Sequence, residues 1–325
     1  MLQQQNLSVY RAFASKKGVT SAPLIGRITR EIMKYQGLYT AIVTPFKNDK
    51  VDYDAFQTLI EAQIAGGVDG IVPVGTTGES PTLTHEEHME VIRRAAEFAA
   101  GRCQVIAGTG SNATYEAVEM TREAADMGVD GTLQVCPYYN KPNQEGVYRH
   151  FKAIADSTPL PIMLYSIPGR SGIEIAVDTV VRLAQDCPTI TAIKEAGGSV
   201  ERVNQLVSAL PADFAVLSGD DGLTVPFISC GARGLVSVTS NVAPAEMKAL
   251  VDAAMSGDGA KALELQKKYY PLMKGLMSLD TNPVPIKAAL ALRGDISWEV
   301  RLPLVELAVE KRGQLTTLLK SFNLI

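Results

Sequence analysis

The chain has 325 residues, 46% of them hydrophobic and 20% charged, enough apolar material for one large packed unit or two smaller ones. Its net charge of −4 speaks against a dedicated nucleic-acid or anionic-membrane binder, since both need a basic surface. No apolar run approaches the roughly 18 uninterrupted residues that span a bilayer, and the three histidines form neither H-x-H nor H-E-x-x-H, so a zinc hydrolase and a bound metal are not expected.

Residues 1–36 differ from the rest. Arg11, Lys16, Lys17, Arg27, Arg30 and Lys34 stand against one acidic residue, Glu31. A basic, acid-poor, Ser/Thr-containing stretch has the profile of an organelle transit peptide. It also suits a start assigned too early, with Met33 opening "MKYQGLYTAIVTPF", or a flexible tail. No apolar core of secretory type is present, so export is not expected. Cys103, Cys136, Cys187 and Cys230 lie far apart without a C-x-x-C pair, which fits reduced thiols in a cytoplasmic protein.

From residue 39 short apolar runs alternate with longer amphipathic stretches. The runs are "YTAIVTPF" (39–46), "GIVPVG" (70–75), "CQVIAGTG" (103–110), "GTLQVCP" (131–137), "PIMLYSI" (161–167), "ITAIKEA" (190–196), "FAVLSGD" (214–220) and "GLVSVT" (234–239). Each is near-continuously apolar, as strands of a parallel sheet covered on both faces should be. Between them "DYDAFQTLIEAQIAGG", "THEEHMEVIRRAAEFAAG" and "VDTVVRLAQDC" carry apolar residues at three- and four-residue spacing, the mark of amphipathic helices. Thr84 followed by Glu87 predicts a capping box.

Eight strand–helix units in about 220 residues predict a (β/α)8 barrel over 37–257. A doubly wound open sheet competes, but it favours a glycine-rich turn after its first strand, and "TPFKNDK" has no glycine. Beyond residue 257 the runs stop. "AKALELQKKYYPLMKGLMSL", "NPVPIKAALALRG" and "PLVELAVEKRGQLTTLLKSF" predict three helices, a helical domain over 258–325.

Barrel sites lie at the C-terminal ends of the strands. There Lys194 stands out, because an ammonium in an apolar strand without a partner costs several kcal/mol, roughly, and tends to shed its proton. A neutral amine is a nucleophile of the Schiff-base kind. Tyr165 occupies the comparable end of the preceding strand. Alternation places Met163 with Tyr165 and Ala192 with Lys194, so phenol and amine are expected side by side. "GTTGES" (75–80) offers two hydroxyls and backbone amides suited to a carboxylate. "SGDDG" is acidic and "VSVTSN" ends without glycine, so a phosphorylated substrate is not expected.

"GTTGES", "GTGSNAT", "PYYNKPNQEG", "YSIPGRSG", "IKEAGG", "LSGDD" and "NPVPIK", in that order over residues 37–325, resemble the dihydrodipicolinate synthase family, within the pyruvate-dependent Schiff-base aldolases. The resemblance implies that Lys194 forms an imine with pyruvate and that its enamine attacks L-aspartate 4-semialdehyde, with no metal or other cofactor. It assigns the proton relay to Tyr165, Thr76 and Tyr139, the last reaching in from a neighbouring subunit of a homotetramer. Thr77 would hold the pyruvate carboxylate, Arg170 the carboxylate of the aldehyde, and Gly219 and Val236 would be further substrate contacts. Lysine, as feedback inhibitor, would bind through Ser80, His85, His88, Asn112, Glu116 and Tyr138. Ser166, Ser171 and Pro81 depart from the usual family residues; so does Cys136, read here as a packed thiol. The rival readings are a lyase of the same group acting on a sialic acid or a 2-keto-3-deoxy sugar acid, and a non-catalytic keto-acid sensor. A sensor should show a damaged lysine or tyrosine, and both are intact.

Overall fold

A computed structural model describes residues 34–325; the expectations for the basic N-terminal segment fall on 1–33, outside the described residues, apart from its last three positions. The eight apolar runs become eight strands: β1 (Gly37–Ala41), β2 (Gly70–Val72), β3 (Gln104–Gly108), β4 (Gly131–Val135), β5 (Ile162–Ser166), β6 (Ile190–Glu195), β7 (Ala215–Ser218) and β8 (Gly234–Ser237). All pair in parallel with their sequence neighbours, and β8 pairs with β1 to close the barrel. This is the (β/α)8 architecture that the alternation predicts.

The helices are α1 (Tyr53–Ala65), α2 (His85–Ala99), α3 (Thr114–Asp126), α4 (Gln144–Ala155), the single turn α5 (Pro168–Ser171), α6 (Val177–Asp186), α7 (Val200–Ala209), α8 (Thr224–Ser229), α9 (Pro244–Met255), α10 (Gly259–Ser278), α11 (Val284–Arg293) and α12 (Val309–Ser321). Their starts follow local chemistry. The Asp52 side chain accepts from Ala55 N (3.1 Å), Asn143 from Gly146 N (2.9 Å) and Asp258 from Lys261 N (3.0 Å). The box at α2 is reciprocal: Thr84 Oγ1 accepts from Glu87 N and Glu87 Oε2 from Thr84 N.

Outward residues of β5–β7, among them Leu164, Ile193 and Val216, pack with Val180 and Leu183 of α6 and Val203 and Leu206 of α7. A register shift between Ile162 and Met163 then lets Met163 pair with Ala192 and Tyr165 with Lys194, the inward set. Inside the barrel the Tyr39 hydroxyl donates to Gln104 Oε1 (2.5 Å). Gly70 leaves room for that ring, since a Cβ there would meet it at 2.6 Å.

Two features differ from the expectation. Residues 46–51 form a small antiparallel ribbon, Phe46–Lys47 with Lys50–Val51, turned by Asn48 and Asp49 at φ 53° and 59°. A pair of residues at positive φ is the I′-type hairpin turn, which Asn and Asp tolerate. The last helix begins at Val309, not near Pro303. Before it Leu302 and Val305 are exposed and Leu307 is buried, so insertion of Leu307 into the core overrides the local helical pattern. α10, α11 and α12 share one apolar core with the barrel strands and α1–α3, and Lys34–Ile325 is a single compact unit.

Candidate active site

At the C-terminal mouth of the barrel a cavity of about 220 Å³ is lined by residues from several strand ends, including Thr76, Ser80, Tyr138, Tyr165 and Arg170. Lys194 stands beside it on β6, 6% exposed, with Nζ 4.2 Å from the centroid of the Tyr165 ring. Among the described residues its amine makes no hydrogen bond or ion pair, and its contact is with that ring. Its sequence neighbour Glu195 points the other way, as strand alternation requires, and accepts from Arg202 Nε (2.8 Å) and Gly197 N (2.7 Å). Burial raises the Glu195 carboxyl above its ordinary value although Arg202 opposes the shift. The nearby acid is thus committed to the outer layer, away from the amine.

Gly219, predicted as a substrate contact, lies against the lysine itself. A Cβ at this position would sit 3.0 Å from Lys194 Cε and 2.7 Å from Ala196 Cβ. Gly219→Ala is therefore expected to displace the lysine stem and lower the rate of attack by roughly 10²-fold, the cost of about an ångström of misplacement. Single-turnover trapping of the amine by a keto acid measures this, with circular dichroism confirming an intact fold. Val236 is buried in β8 in register with Tyr39 and is absent from the cavity lining.

The "GTTGES" turn is tightly specified. Val74 and Glu79 hold φ of 49° and 54°, and a Cβ on Gly78 would meet Val74 N at 2.8 Å, so only glycine fits. Glu79 N and Ser80 N close the turn onto Thr76 O (3.2 Å) and Gly75 O (3.3 Å), whereas the amides of Thr76 and Thr77 make no hydrogen bond among the described residues. Beneath it lies an ion pair that sequence reasoning missed. Lys287 Nζ donates to Glu79 Oε1 (2.5 Å), both side chains are 0% exposed, and Arg301 N donates to Glu79 Oε2 (3.2 Å). Burial pulls the Lys287 ammonium below its ordinary value, and the charge of Glu79 opposes that. The signal was present in "NPVPIK", a lysine at the start of an otherwise apolar helix, but its partner lies 208 residues away.

Asn282 was also missed. Its side-chain Nδ2 donates to Thr77 Oγ1 (3.0 Å), and its main-chain oxygen accepts from Arg170 Nη2 (3.0 Å). Thr77 is buried and outside the cavity lining, while Thr76 and Arg170 face the cavity. Tyr139 is elsewhere: 89% exposed at φ 70°, it does not line the cavity of its own chain.

The residues expected to hold lysine fall into two groups. Ser80 and Tyr138 share the cavity wall with Thr76 and Tyr165. The other four lie around them. His88 is buried, with Nε2 2.7 Å from Gly108 O and Nδ1 3.5 Å from Ser80 Oγ, so the ring ties two segments of its own chain, and burial lowers its pKa. His85 approaches Glu123 (3.4 Å) at the surface. Asn112 Nδ2 donates to Tyr138 O (3.2 Å), and Glu116 accepts from Ser111 Oγ (2.6 Å) and the Tyr115 hydroxyl (3.0 Å). Cys136 is fully buried and its thiol is pushed up to about 12 by desolvation, which makes it a packed side chain and not a nucleophile. Ser171 Oγ donates to Ile173 O (2.6 Å) and Ile167 O (3.0 Å), tying the turn α5, which carries Arg170, to its flanking backbone.

Fold and constellation together define a (β/α)8-barrel enzyme with its site at the strand C-termini. The dihydrodipicolinate synthetase family model matches residues 34–322. A 4-hydroxy-tetrahydrodipicolinate synthase of Syntrophus aciditrophicus (strain SB) is 50% identical over 90% of this chain and 99% of its own. The structure of the 4-hydroxy-tetrahydrodipicolinate synthase from Methylacidiphilum fumariolicum SolV superposes with a TM-score of 0.88 at 54% identity, covering 89% of this chain and 96% of that one. Two further dihydrodipicolinate synthases have been solved with ligands. The chloride-inhibited protein of Acinetobacter baumannii, complexed with pyruvate, is 45% identical with a TM-score of 0.87 over 89% of this chain and 99% of that one. The protein of Cyanidioschyzon merolae with lysine bound is 42% identical with a TM-score of 0.86 over the same shares of the two chains. The chain belongs to the dihydrodipicolinate synthetase family, and the protein is a lyase. Among the described residues no helix is long and apolar enough to cross a membrane.

Proposed function

We propose that the chain condenses pyruvate with L-aspartate 4-semialdehyde to 4-hydroxy-tetrahydrodipicolinate through an imine on Lys194. One observation carries the reading: a buried amine with no ionic partner, in register with a tyrosine that lines the cavity. Lys194 Nζ adds to the ketone carbon, and the carbinolamine loses water to give the imine. Loss of a methyl proton yields the enamine, whose carbon attacks the aldehyde and forms the new carbon–carbon bond. The amino group of the second substrate then adds to the imine carbon and expels Lys194, which closes the ring and restores the free amine. The lysine serves as the electron sink, so the proposed route needs no metal or other cofactor.

Tyr165 and Thr76, both on the cavity wall, pass the protons of these steps. Thr77 and the free amides of its turn hold the pyruvate carboxylate, and Arg170 at the rim takes the carboxylate of the aldehyde as a guanidinium fork can. Tyr139 completes the relay from a neighbouring subunit of a homotetramer. Its exposure and left-handed backbone suit a residue presented outward rather than packed. Tyr139→Phe should lower kcat by about 10²- to 10⁴-fold with unchanged assembly in sedimentation; unaltered turnover would remove it from the relay.

Lysine binding at the face formed by Ser80, His85, His88, Asn112, Glu116 and Tyr138 is proposed as feedback regulation. The shared cavity wall of Ser80 and Tyr138 with Thr76 gives such a ligand a short path to the relay. The free state of Cys103, Cys136, Cys187 and Cys230 supports a cytoplasmic location. Borohydride reduction with pyruvate, followed by peptide mapping, tests the central step. A stable adduct on Lys194 is expected, and an adduct elsewhere or none would overturn it. Parallel assays with aspartate semialdehyde and with sugar-derived aldehydes decide the acceptor; turnover with sugar aldehydes alone would favour the sugar-acid lyase.

A further inference from the structure

Thr77 Oγ1 accepts a hydrogen bond from Asn282 Nδ2 at 3.0 Å, and this constrains what the hydroxyl can do. A threonine hydroxyl has a single proton to donate. With the amide supplying a donor to the oxygen, the threonine proton is directed away from Asn282. The second arm of Asn282, its main-chain oxygen, holds Arg170 Nη2 at 3.0 Å, so one residue between α10 and α11 touches both groups assigned to substrate carboxylates. Neither Asn282 nor Thr77 lines the cavity, and both are buried; Asn282 acts on substrate only through its neighbours. Among the described residues Asn282 Oδ1 has no partner, so the hold of this side chain on the site runs through the amide donor.

We propose that Asn282 is a positioning residue that polarises the Thr77 hydroxyl into a donor toward the keto-acid carboxylate, and so sets the affinity for the first substrate. This rests on the pyruvate reading above. The polarity of the bond is the whole device, which makes it separable from packing. Asn282→Asp keeps shape and volume but replaces the amide donor with a carboxylate, which accepts the threonine proton and withdraws it from the substrate.

The test measures the pyruvate concentration that gives half-maximal borohydride-trapped adduct in the full-length protein, together with kcat and KM for both substrates. Asn282→Asp should raise the half-saturating pyruvate concentration about 10-fold or more, the weight of a hydrogen bond to a charged group, with a smaller change in kcat. Thr77→Val should show a similar rise. In the double variant the two effects should not multiply, because both remove the same donor. Asn282→Gln, which keeps an amide donor, should recover part of the affinity. If Asn282→Asp binds pyruvate like the parent, or if its effect multiplies with that of Thr77→Val, the proposal is overturned. Failure of the parent itself to form an adduct would sink the pyruvate reading instead, so the two failures are distinguishable.

Discussion

Lys194→Ala should reduce turnover by about 10⁴-fold or more, since loss of the proposed covalent nucleophile would remove the pathway and not a single contact. Its effect on stability should be slight. The residue is 6% exposed and, among the described residues, its amine has no carboxylate or hydrogen-bond partner, so truncation strands no opposite charge. What is lost is the packing of the stem against Tyr165 and Gly219; what is gained is relief from holding a polar group in apolar surroundings. The melting temperature is therefore expected to stay within a few degrees of the parent, roughly, by the usual conversion of about a kcal/mol into Tm. Pyruvate should raise the melting temperature of the parent by ligand linkage and leave that of the variant unmoved. A variant that still gains stability from pyruvate would show that the imine contributes little to binding.

Lys287→Met is the opposite case. This second buried lysine is paired, and removing it leaves Glu79 charged, fully buried and held by only the Arg301 amide. Breaking one side of such a pair costs about 3–5 kcal/mol. Urea unfolding at neutral pH should show a loss of that size. Because Glu79 sits in the turn that carries Thr76 and Thr77, pyruvate affinity should weaken as well. Adding Glu79→Gln to Lys287→Met should restore much of the stability, since the stranded charge is gone, without restoring affinity. A Lys287→Met variant as stable as the parent would mean that the pair contributes specificity alone. The two lysines thus separate by partner and not by burial: one is unpaired and assigned to chemistry, the other paired and structural.

The eight strands, the early helices and the pairing of Tyr165 with Lys194 were legible because each depends on local pattern: apolar runs, three- and four-residue spacing, and two-residue alternation. Thr84 and Glu87 announced their helix by themselves, three residues apart. The late start of α12 was not legible, because Leu307 is drawn into a core whose other members lie far away in the chain. The contact of Gly219 with the lysine was hidden for the same reason: its hydrogen matters only once β6 brings the lysine stem against it.

What the amino-acid sequence determined by itself was therefore the barrel, the lysine and tyrosine on neighbouring strands, and the hydroxyl-rich turn, all encoded within windows of a few residues. Only the tertiary structure decided that Asn282 and Lys287 clamp that turn from 205 and 208 residues away, and that Glu195 is committed to Arg202 while its neighbour stays unpaired. The reason is physical: a buried charge or amide is defined by the partner that satisfies it, and partners distant in sequence meet only when the chain has closed.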